Sequence, residues 1–163
     1  MYFRFMKKKI VYLVNHVAFF VSHRLPLAIN AKKNGFDVVL ITGLAGSNIM
    51  ESEAKKLLRK YKIKHIRVRF SVSSFNIFNE LIGVTELIYN LIKLKPSIIH
   101  VVSTKGIIYG GILGRLLSIK SLVISYAGMG YLFTGKINSK MKLFQKIFLL
   151  LQKFILKHKN LKV

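Results

Sequence analysis

The sequence predicts an α/β chain with a Rossmann-like, mostly parallel sheet and helices on both faces. Three observations predict it. Short apolar, β-rich runs recur along the chain, as expected of parallel strands buried on both sides. Segments of helical period separate them, and turn signals such as Asn34-Gly35 and Pro96 stop those segments. The first strand, Ile10 to Val14, is followed by a polar and aromatic loop, Asn15 to Phe20. Ser22 then caps a helix with Leu25, Ala28 and Ile29 on one side and Lys32 and Lys33 on the other, and Val38 to Ile41 forms the next strand. A second helix covers Ser47 to Lys60, capped by Ser47, with Glu51 and Glu53 in its early turns. Ile66, Val68 and Phe70 alternate with Arg67 and Arg69, so Ile63 to Phe70 reads as a strand near a sheet edge. After the polar loop Ser71 to Asn76 come a helix from Ile77 to Lys95, a strand from Ile98 to Val102, a helix from Ile107 to Leu117 and a strand from Leu122 to Ser125. A Gly-containing loop, Ala127 to Asn138, leads to the last helix, Ser139 to Lys157, and Asn160 to Val163 begins a further strand. The strand–helix alternation has neither internal repeats nor a low-complexity linker.

Composition narrows the possibilities. A chain of 163 residues fits one domain, 1–163, and buries a substantial core. Its 52% hydrophobic content excludes disorder. A spanning helix needs about 18 or more consecutive apolar residues, and no window supplies them. Lys7-Lys8-Lys9 before an apolar run mimics a signal peptide, but Asn15-His16 interrupts that run, so the segment reads as a first strand with a basic lead-in. The lack of cysteine excludes a disulfide framework and thiolate sites. With 28 Lys and Arg against 5 Asp and Glu, the chain carries a formal charge of +23, a surface that attracts phosphate in nucleic acid, anionic lipid or a diphosphate-linked substrate.

Four segments carry a resemblance. The first is the stretch from Ile10 to Gly43, with SHRLPLA after a strand, a Lys-rich helix ending in Asn-Gly-Phe, and a VVLIT strand. The others are FSVSSFNIF at Phe70 to Phe78, HVVSTKGIIYGGILGRL at His100 to Leu116 and YAGMGYLFTG at Tyr126 to Gly135. In this order they resemble the amino-terminal domain of family 4 bacterial glycosyltransferases, above all those extending undecaprenyl-diphosphate-linked sugars. The resemblance implies the amino-terminal, acceptor-side half of a GT-B fold, with a carboxy-terminal donor domain absent from this chain. It also implies retaining transfer from a nucleotide-sugar, no metal and no cofactor. The location it implies is peripheral, on the cytoplasmic face of the plasma membrane. A chain lacking the donor domain is expected to be inactive alone, whether truncated or one subunit of a split enzyme that recruits its partner to the membrane.

The candidate residues follow from strand ends, where doubly wound sheets bind ligands. His16, His23 and Arg24 follow the first strand; Arg24 is assigned to a phosphate or developing negative charge, whereas His23 serves either the ligand or a helix end. Lys105, in the Ser-Thr-Lys-Gly turn, is assigned to phosphate. His100 reads as structural, at the wrong end of its strand for a base, and Gly110, Gly111 and Gly114 as close helix–sheet packing rather than a nucleotide fingerprint. Gly128 and Gly130 either let the backbone approach sugar or phosphate or simply mark a turn. By resemblance, a His often precedes the first Gly of that loop; Ala127 stands there, and the departing diphosphate becomes the acceptor of the proton. In the last helix Lys142, Lys146 and Lys153 form a stripe beside a broad apolar face that includes Phe148. That pattern fits either an interfacial helix on anionic lipid or a core helix with a snorkelling Lys edge. Binding of nucleic acid rests on charge alone, without a recognisable module, and ranks last.

Overall fold

The computed structural model describes residues 8–44, 48–71, 76–127 and 139–163. Six strands lie among the described residues: β1 (Lys9–Val14), β2 (Asp37–Leu44), β3 (Lys64–Ser71), β4 (Ile98–Val102), β5 (Ser121–Ser125) and β6 (Leu161–Lys162). They form one sheet in the order β3-β2-β1-β4-β5-β6, and every pairing is parallel. The helices are α1 (Val17–His23), α2 (Leu25–Lys33), α3 (Asn48–Lys60), α4 (Ile77–Leu94), α5 (Thr104–Leu116) and α6 (Ser139–Ile155). The chain builds outward from β1 to the edge strand β3. Helix α4 then carries it back to β4, on the other side of β1, and it builds outward again. Right-handed crossovers put the helices of the two halves on opposite faces.

The core divides accordingly. Val11 and Leu13 of β1 point to one face, where they meet Leu87 and Leu91 of α4, Ile107 and Leu113 of α5, and Ile155. Ile10, Tyr12 and Val14 point to the other, against Val17 and Phe20 of α1, Ala28 of α2 and Leu58 of α3. Burial on both faces is the reason the strands read as continuous apolar runs rather than alternating ones. Strand β3, at one edge, alternates apolar and polar residues.

The expected parallel sheet is present, and strand limits agree to within a few residues. Helix starts differ more. Most of the expected loop Asn15 to Phe20 is helix α1, and its cap is His16, whose Nδ1 accepts from the Phe19 amide at 3.2 Å. Ser22 lies in the last turn of α1 and donates back to the Ala18 carbonyl at 3.0 Å, so it caps nothing. Burial of Val17 and of Phe20, whose ring meets Tyr12 edge-on at 5.4 Å, drives this turn into a helix despite its β-branched and aromatic residues. Helix α5 begins at Thr104 rather than Ile107. Helix α4 ends at Leu94, and Lys95 takes a left-handed conformation (φ 46°) just ahead of Pro96, which disfavours further helix. The Ser47 cap and most of the Ser71–Asn76 and Ala127–Asn138 loops lie outside the described residues.

The glycines of α5 serve packing, as expected. A Cβ on Gly110 would lie 2.5 Å from Val101 Cγ1 and 2.6 Å from Leu13 Cδ2, and one on Gly111 would lie 2.8 Å from Ile155 of α6. Among the described residues, no helix is long and apolar enough to cross a membrane.

Candidate functional site

Strands β1 and β4 are neighbours whose following helices leave toward opposite faces, which opens a crevice at their carboxyl ends. One lip is Asn15-His16 and the other Ser103-Thr104-Lys105. The lips are joined by a hydrogen bond from Ser103 Oγ to Asn15 Oδ1 at 2.5 Å, and Ser103 also contacts the Val102 carbonyl. Ser103 sits at φ 68°, a conformation that costs a non-glycine residue about 1–3 kcal/mol. The Asn15 contact helps hold it there. The bend directs the first turn of α5 toward the crevice, without a side-chain cap on that turn. Gly106, where a Cβ would stand 3.1 Å from the Leu13 carbonyl, lets this turn lie against β1.

His16 is half-committed. Its Nδ1 is spent on the Phe19 amide, which assigns the neutral ring's proton to Nε2. Glu51 of α3, 8% exposed, accepts from the Ala18 amide at 3.1 Å and lies 3.7 Å from His16 Nδ1. The amino-terminal turn of α1 is therefore satisfied by side chains of the chain itself, including a carboxylate. His23 closes α1: its ring stacks on Phe19 at 4.3 Å, and its Nδ1 lies 2.6 Å from Ser22 Oγ. These local contacts favour the helix-end role for His23.

Arg24 stands where α1 ends and α2 begins. It donates from Nη1 to the His23 carbonyl at 3.1 Å, while its Nε is buried without a hydrogen-bond partner. The sequence places His100 at the wrong end of a strand. In the structure it occupies the middle of β4, in register with Tyr12, and faces the α1–α2 side. Its Nε2 meets Ser125 Oγ at 2.8 Å, and its ring lies 5.0 Å from that of Tyr12. Burial, reinforced by the Arg24 charge, lowers its pKa to about 4, so the imidazole is neutral near pH 7. Burial also raises the Tyr12 phenol, and Arg24 partly opposes that rise.

Lys105 is tethered from the other face. Its Nζ lies 2.6 Å from Oε1 of Glu80, a residue 5% exposed at the start of α4, and the Tyr109 hydroxyl donates to Oε2 at 2.5 Å. Burial first, and then the Glu80 bond, push the Tyr109 pKa up. The lysine thus stands at the α5 lip in a fixed position, with part of its charge offset. Nothing in the local sequence marks Glu80, which lies 25 residues away. The sequence does not mark the roles of Asn15 and Ser125 for the same reason, since each gains its role from a partner distant in the chain, Ser103 at the start of α5 and His100 of β4. Gly128 and Gly130 lie outside the described residues.

On α6, Lys142, Lys146 and Lys153 are exposed, as a lipid-facing stripe requires. Phe148 is the correction: it is 2% exposed and cannot enter a lipid surface from there. The helix turns Phe148, Gln152 and Ile155 inward, and Gln152 accepts a hydrogen bond from the Tyr126 hydroxyl at 2.5 Å.

A family model described as glycosyl transferase 4-like matches residues 9–161. No curated protein matches the chain. Among solved structures, MurG from Acinetobacter baumannii superposes with a TM-score of 0.58 at 16% identity, covering 83% of this chain and 39% of that one. A glycosyltransferase from Rickettsia africae gives 0.54 at 18% identity, with 88% and 35% covered. A UDP-N-acetylglucosamine 2-epimerase gives 0.59 at 15% identity, with 92% and 40% covered. The chain spans about two fifths or less of these proteins, and at such identities the likeness shows a shared fold. Since that fold hosts epimerisation as well as transfer, only the family match bears on the reaction.

Proposed function

The chain belongs to the glycosyl transferase 4-like family, and on that footing we propose that it is the acceptor-side domain of a retaining glycosyltransferase. The sugar comes from a nucleotide-sugar held by a further domain or partner chain. The acceptor is a polyprenyl-diphosphate-linked sugar or another cell-envelope glycan, met at the inner face of the plasma membrane. What supports this reading is the arrangement after the neighbouring strands β1 and β4, where His16 and Arg24 follow the first and the Ser103-Thr104-Lys105 turn follows the second.

Each part of the crevice has a task in this reading. Lys105 and the first turn of α5 hold the acceptor diphosphate, since backbone amides and an ammonium group favour that charge. Arg24 adds positive potential from the opposite wall. His16, with its proton on Nε2, donates to the ligand rather than acting as a base. The proton of the acceptor hydroxyl passes to the departing diphosphate of the donor. Helices α4 and α6 expose Phe78, Leu81, Leu143, Ile147 and Leu150 beside Lys142, Lys146 and Lys153, a mixture that supports contact with an anionic lipid surface. The same layer supports a second reading, a non-catalytic subunit that brings a separate donor domain to the membrane.

Co-sedimentation with anionic liposomes, with and without an undecaprenyl-diphosphate sugar, tests the proposal across a salt series. The expected result is added affinity from the lipid-linked sugar that survives high salt and is lost in Lys105→Gln. Binding that ignores the sugar and disappears with salt would overturn acceptor recognition. Restored transfer on adding a donor domain in trans separates a catalytic half from a recruiting subunit.

A further inference from the structure

All five acidic residues lie between Asp37 and Glu86, so from residue 87 onward the chain carries no negative side chain. Arg115, Lys120, Lys157 and Lys159 of that part line one cavity of about 340 Å³, between the end of α5 and the α6–β6 turn. Lys120 and Lys159 stand just before β5 and β6, so the cavity is at the opposite end of the sheet from the crevice. Contacts between distant parts of the chain fix its walls. His158 Nδ1 accepts from the Asn160 amide at 3.1 Å, which leaves Nε2 to donate to the Ile119 carbonyl at 2.8 Å. Asn160 Nδ2 in turn donates to Ser121 Oγ at 2.8 Å. The Arg115 guanidinium lies over the Phe154 ring at 4.3 Å and donates from Nη1 to the Phe154 carbonyl. That uses one of its N–H groups and leaves the others.

The ordinary task of a lysine at this end of the sheet is to offset the last carbonyls of a helix. Lys9 does so by donating to the Leu94 carbonyl at 2.9 Å, and Lys32 by donating to that of Lys62 at 2.6 Å. Around the cavity those carbonyls are already taken by backbone amides. Ile119 donates to Gly114 at 2.9 Å and Ser118 to Arg115 at 3.0 Å. On α6, Leu156 donates to Gln152 at 2.8 Å and His158 to Ile155 at 3.0 Å. Lys120, Lys157 and Lys159 are exposed and, among the described residues, have neither a hydrogen-bond acceptor nor an acidic partner. Like charges gathered round one opening repel each other, and a bound anion relieves that repulsion. Four cations suit a phosphate, with roughly two negative charges and three acceptor oxygens, better than a carboxylate with one charge.

A second cavity, of about 390 Å³, adjoins the first and shares Ser118, Ile119 and Lys120 with it. The rest of its lining is largely apolar, with Leu91 and Ile92 of α4, Pro96 and Leu117. Leu116 and Leu156, next in sequence to Arg115 and Lys157 of the cationic cavity, are exposed as well. Lys95 and Ser118 line the apolar cavity with φ of 46° and 51°, at helix ends where glycine is the usual residue. We propose that the joined cavities form a site for a phosphate-bearing amphiphile. The phosphate lies among Arg115, Lys120, Lys157 and Lys159, and the hydrocarbon lies against Leu91, Ile92 and Leu117. This site goes beyond the proposed function, because it is remote from the crevice and requires neither a sugar nor a nucleotide.

The test titrates the full chain with hexyl phosphate, inorganic phosphate or hexanol and follows the backbone amides by NMR. Hexyl phosphate is expected to give saturable shifts at Ser118, Ile119, Lys120 and Lys159, with an affinity at least about fivefold above that of inorganic phosphate. Lys120→Gln, Lys157→Gln and Lys159→Gln together should weaken it by about tenfold. A control with Lys33→Gln, Arg59→Gln and Lys64→Gln removes as much charge from exposed positions elsewhere and should keep the affinity within about twofold. Equal losses in the two triple variants would reduce the effect to net charge and overturn the site. Hexyl phosphate binding no better than inorganic phosphate, or no better than hexanol, would overturn it too. Sedimentation with phosphatidylglycerol and phosphatidylcholine vesicles then identifies the source. Loss of phosphatidylglycerol binding in the cavity variant assigns a lipid headgroup, and unchanged binding assigns a soluble phosphate-bearing amphiphile. None of these probes contains a sugar, so failure here leaves acceptor recognition standing, and the reverse also holds.

Discussion

The two faces of the sheet are built on opposite principles. Toward α4–α6 the strands present only aliphatic and aromatic side chains, Val11, Leu13, Val39, Ile41, Val68, Phe70, Ile99, Val101, Leu122 and Ile124. Toward α1–α3 the same strands carry Tyr12, Thr42, His65, His100 and Ser125, tied into pairs such as Thr42 Oγ1 with His65 Nε2 at 2.9 Å. The outer surfaces invert this order. Among the described residues Leu27 is the one large apolar side chain exposed on α1–α3, whereas α4 and α6 expose a whole series, with Phe78 at 74%. Polar groups are thus buried where the crevice needs them, and apolar groups are exposed where solvent alone gives no reason for them. The first costs stability unless every group is matched; among the described residues Arg24 Nε and, on α6, Gln152 Nε2 are buried without a partner.

The contrast can be broken most severely on the aliphatic face. A Cβ at Gly83 of α4 would stand 2.3 Å from the backbone nitrogen of Phe70, which cannot step aside. Gly83→Ala is therefore expected to cost more than about 3 kcal/mol in urea unfolding. A loss under about 1 kcal/mol would mean that α4 rides more loosely on β3 than its packing indicates.

Next in size is the acid response of the polar face. His100 has a folded pKa lowered from 6.5 to about 4, so below pH 6.5 the unfolded chain binds the proton that the folded chain refuses. Its stabilising effect is complete above pH 6.5 and is lost as pH falls toward 4, by about 3 kcal/mol. His65, also lowered chiefly by burial, acts in the same direction. The gap between denaturation curves at pH 7 and pH 4.5 should narrow in His100→Asn, which removes that titration and leaves the contribution of His65. An unchanged pH dependence in that variant would show that His100 is not the group responsible.

A similar loss is expected from Glu80→Gln, which leaves Lys105 with a neutral partner in a site where Glu80 is 5% exposed. Breaking a buried pair on one side costs about 3 kcal/mol. Lys105→Met in the Glu80→Gln background should recover part of it, and a double-mutant cycle with no coupling would contradict the tether.

The smallest stability effect should come from the exposed apolar layer. Leu150→Ser and Phe78→Ser should each change stability by no more than about 0.5 kcal/mol, while reducing liposome binding. A large loss of stability would reassign these residues to the fold, and unchanged lipid binding would remove the membrane from the proposed function.

The legible part of the site was its position. The polar break after Val14 and the Ser-Thr-Lys turn after Val102 mark strand ends in the sequence, and the topology brings those ends together. Less legible was what each residue does there. Lys105 reads as a free phosphate ligand until Glu80 arrives from α4. His16 reads as a ligand-facing residue after the first strand, and its Nδ1 is found on the Phe19 amide. Phe148 reads as one apolar residue among many on α6, and nothing in its period tells which side meets α5.

The amino-acid sequence by itself determined the fold class, the order of the strands along the chain, and the excess of positive charge. These depend on local periodicity, turn chemistry and composition, which short stretches of chain carry on their own. Tertiary structure alone decided which face of α6 turns inward, which carboxylate holds Lys105, and that the Nε of Arg24 is buried without a hydrogen-bond partner. Those outcomes depend on the packing of residues 25 to 88 positions apart, such as Glu80 with Lys105 and Asn15 with Ser103. The free energy of such contacts is set by burial and by the partner's position, neither of which exists until the sheet has closed.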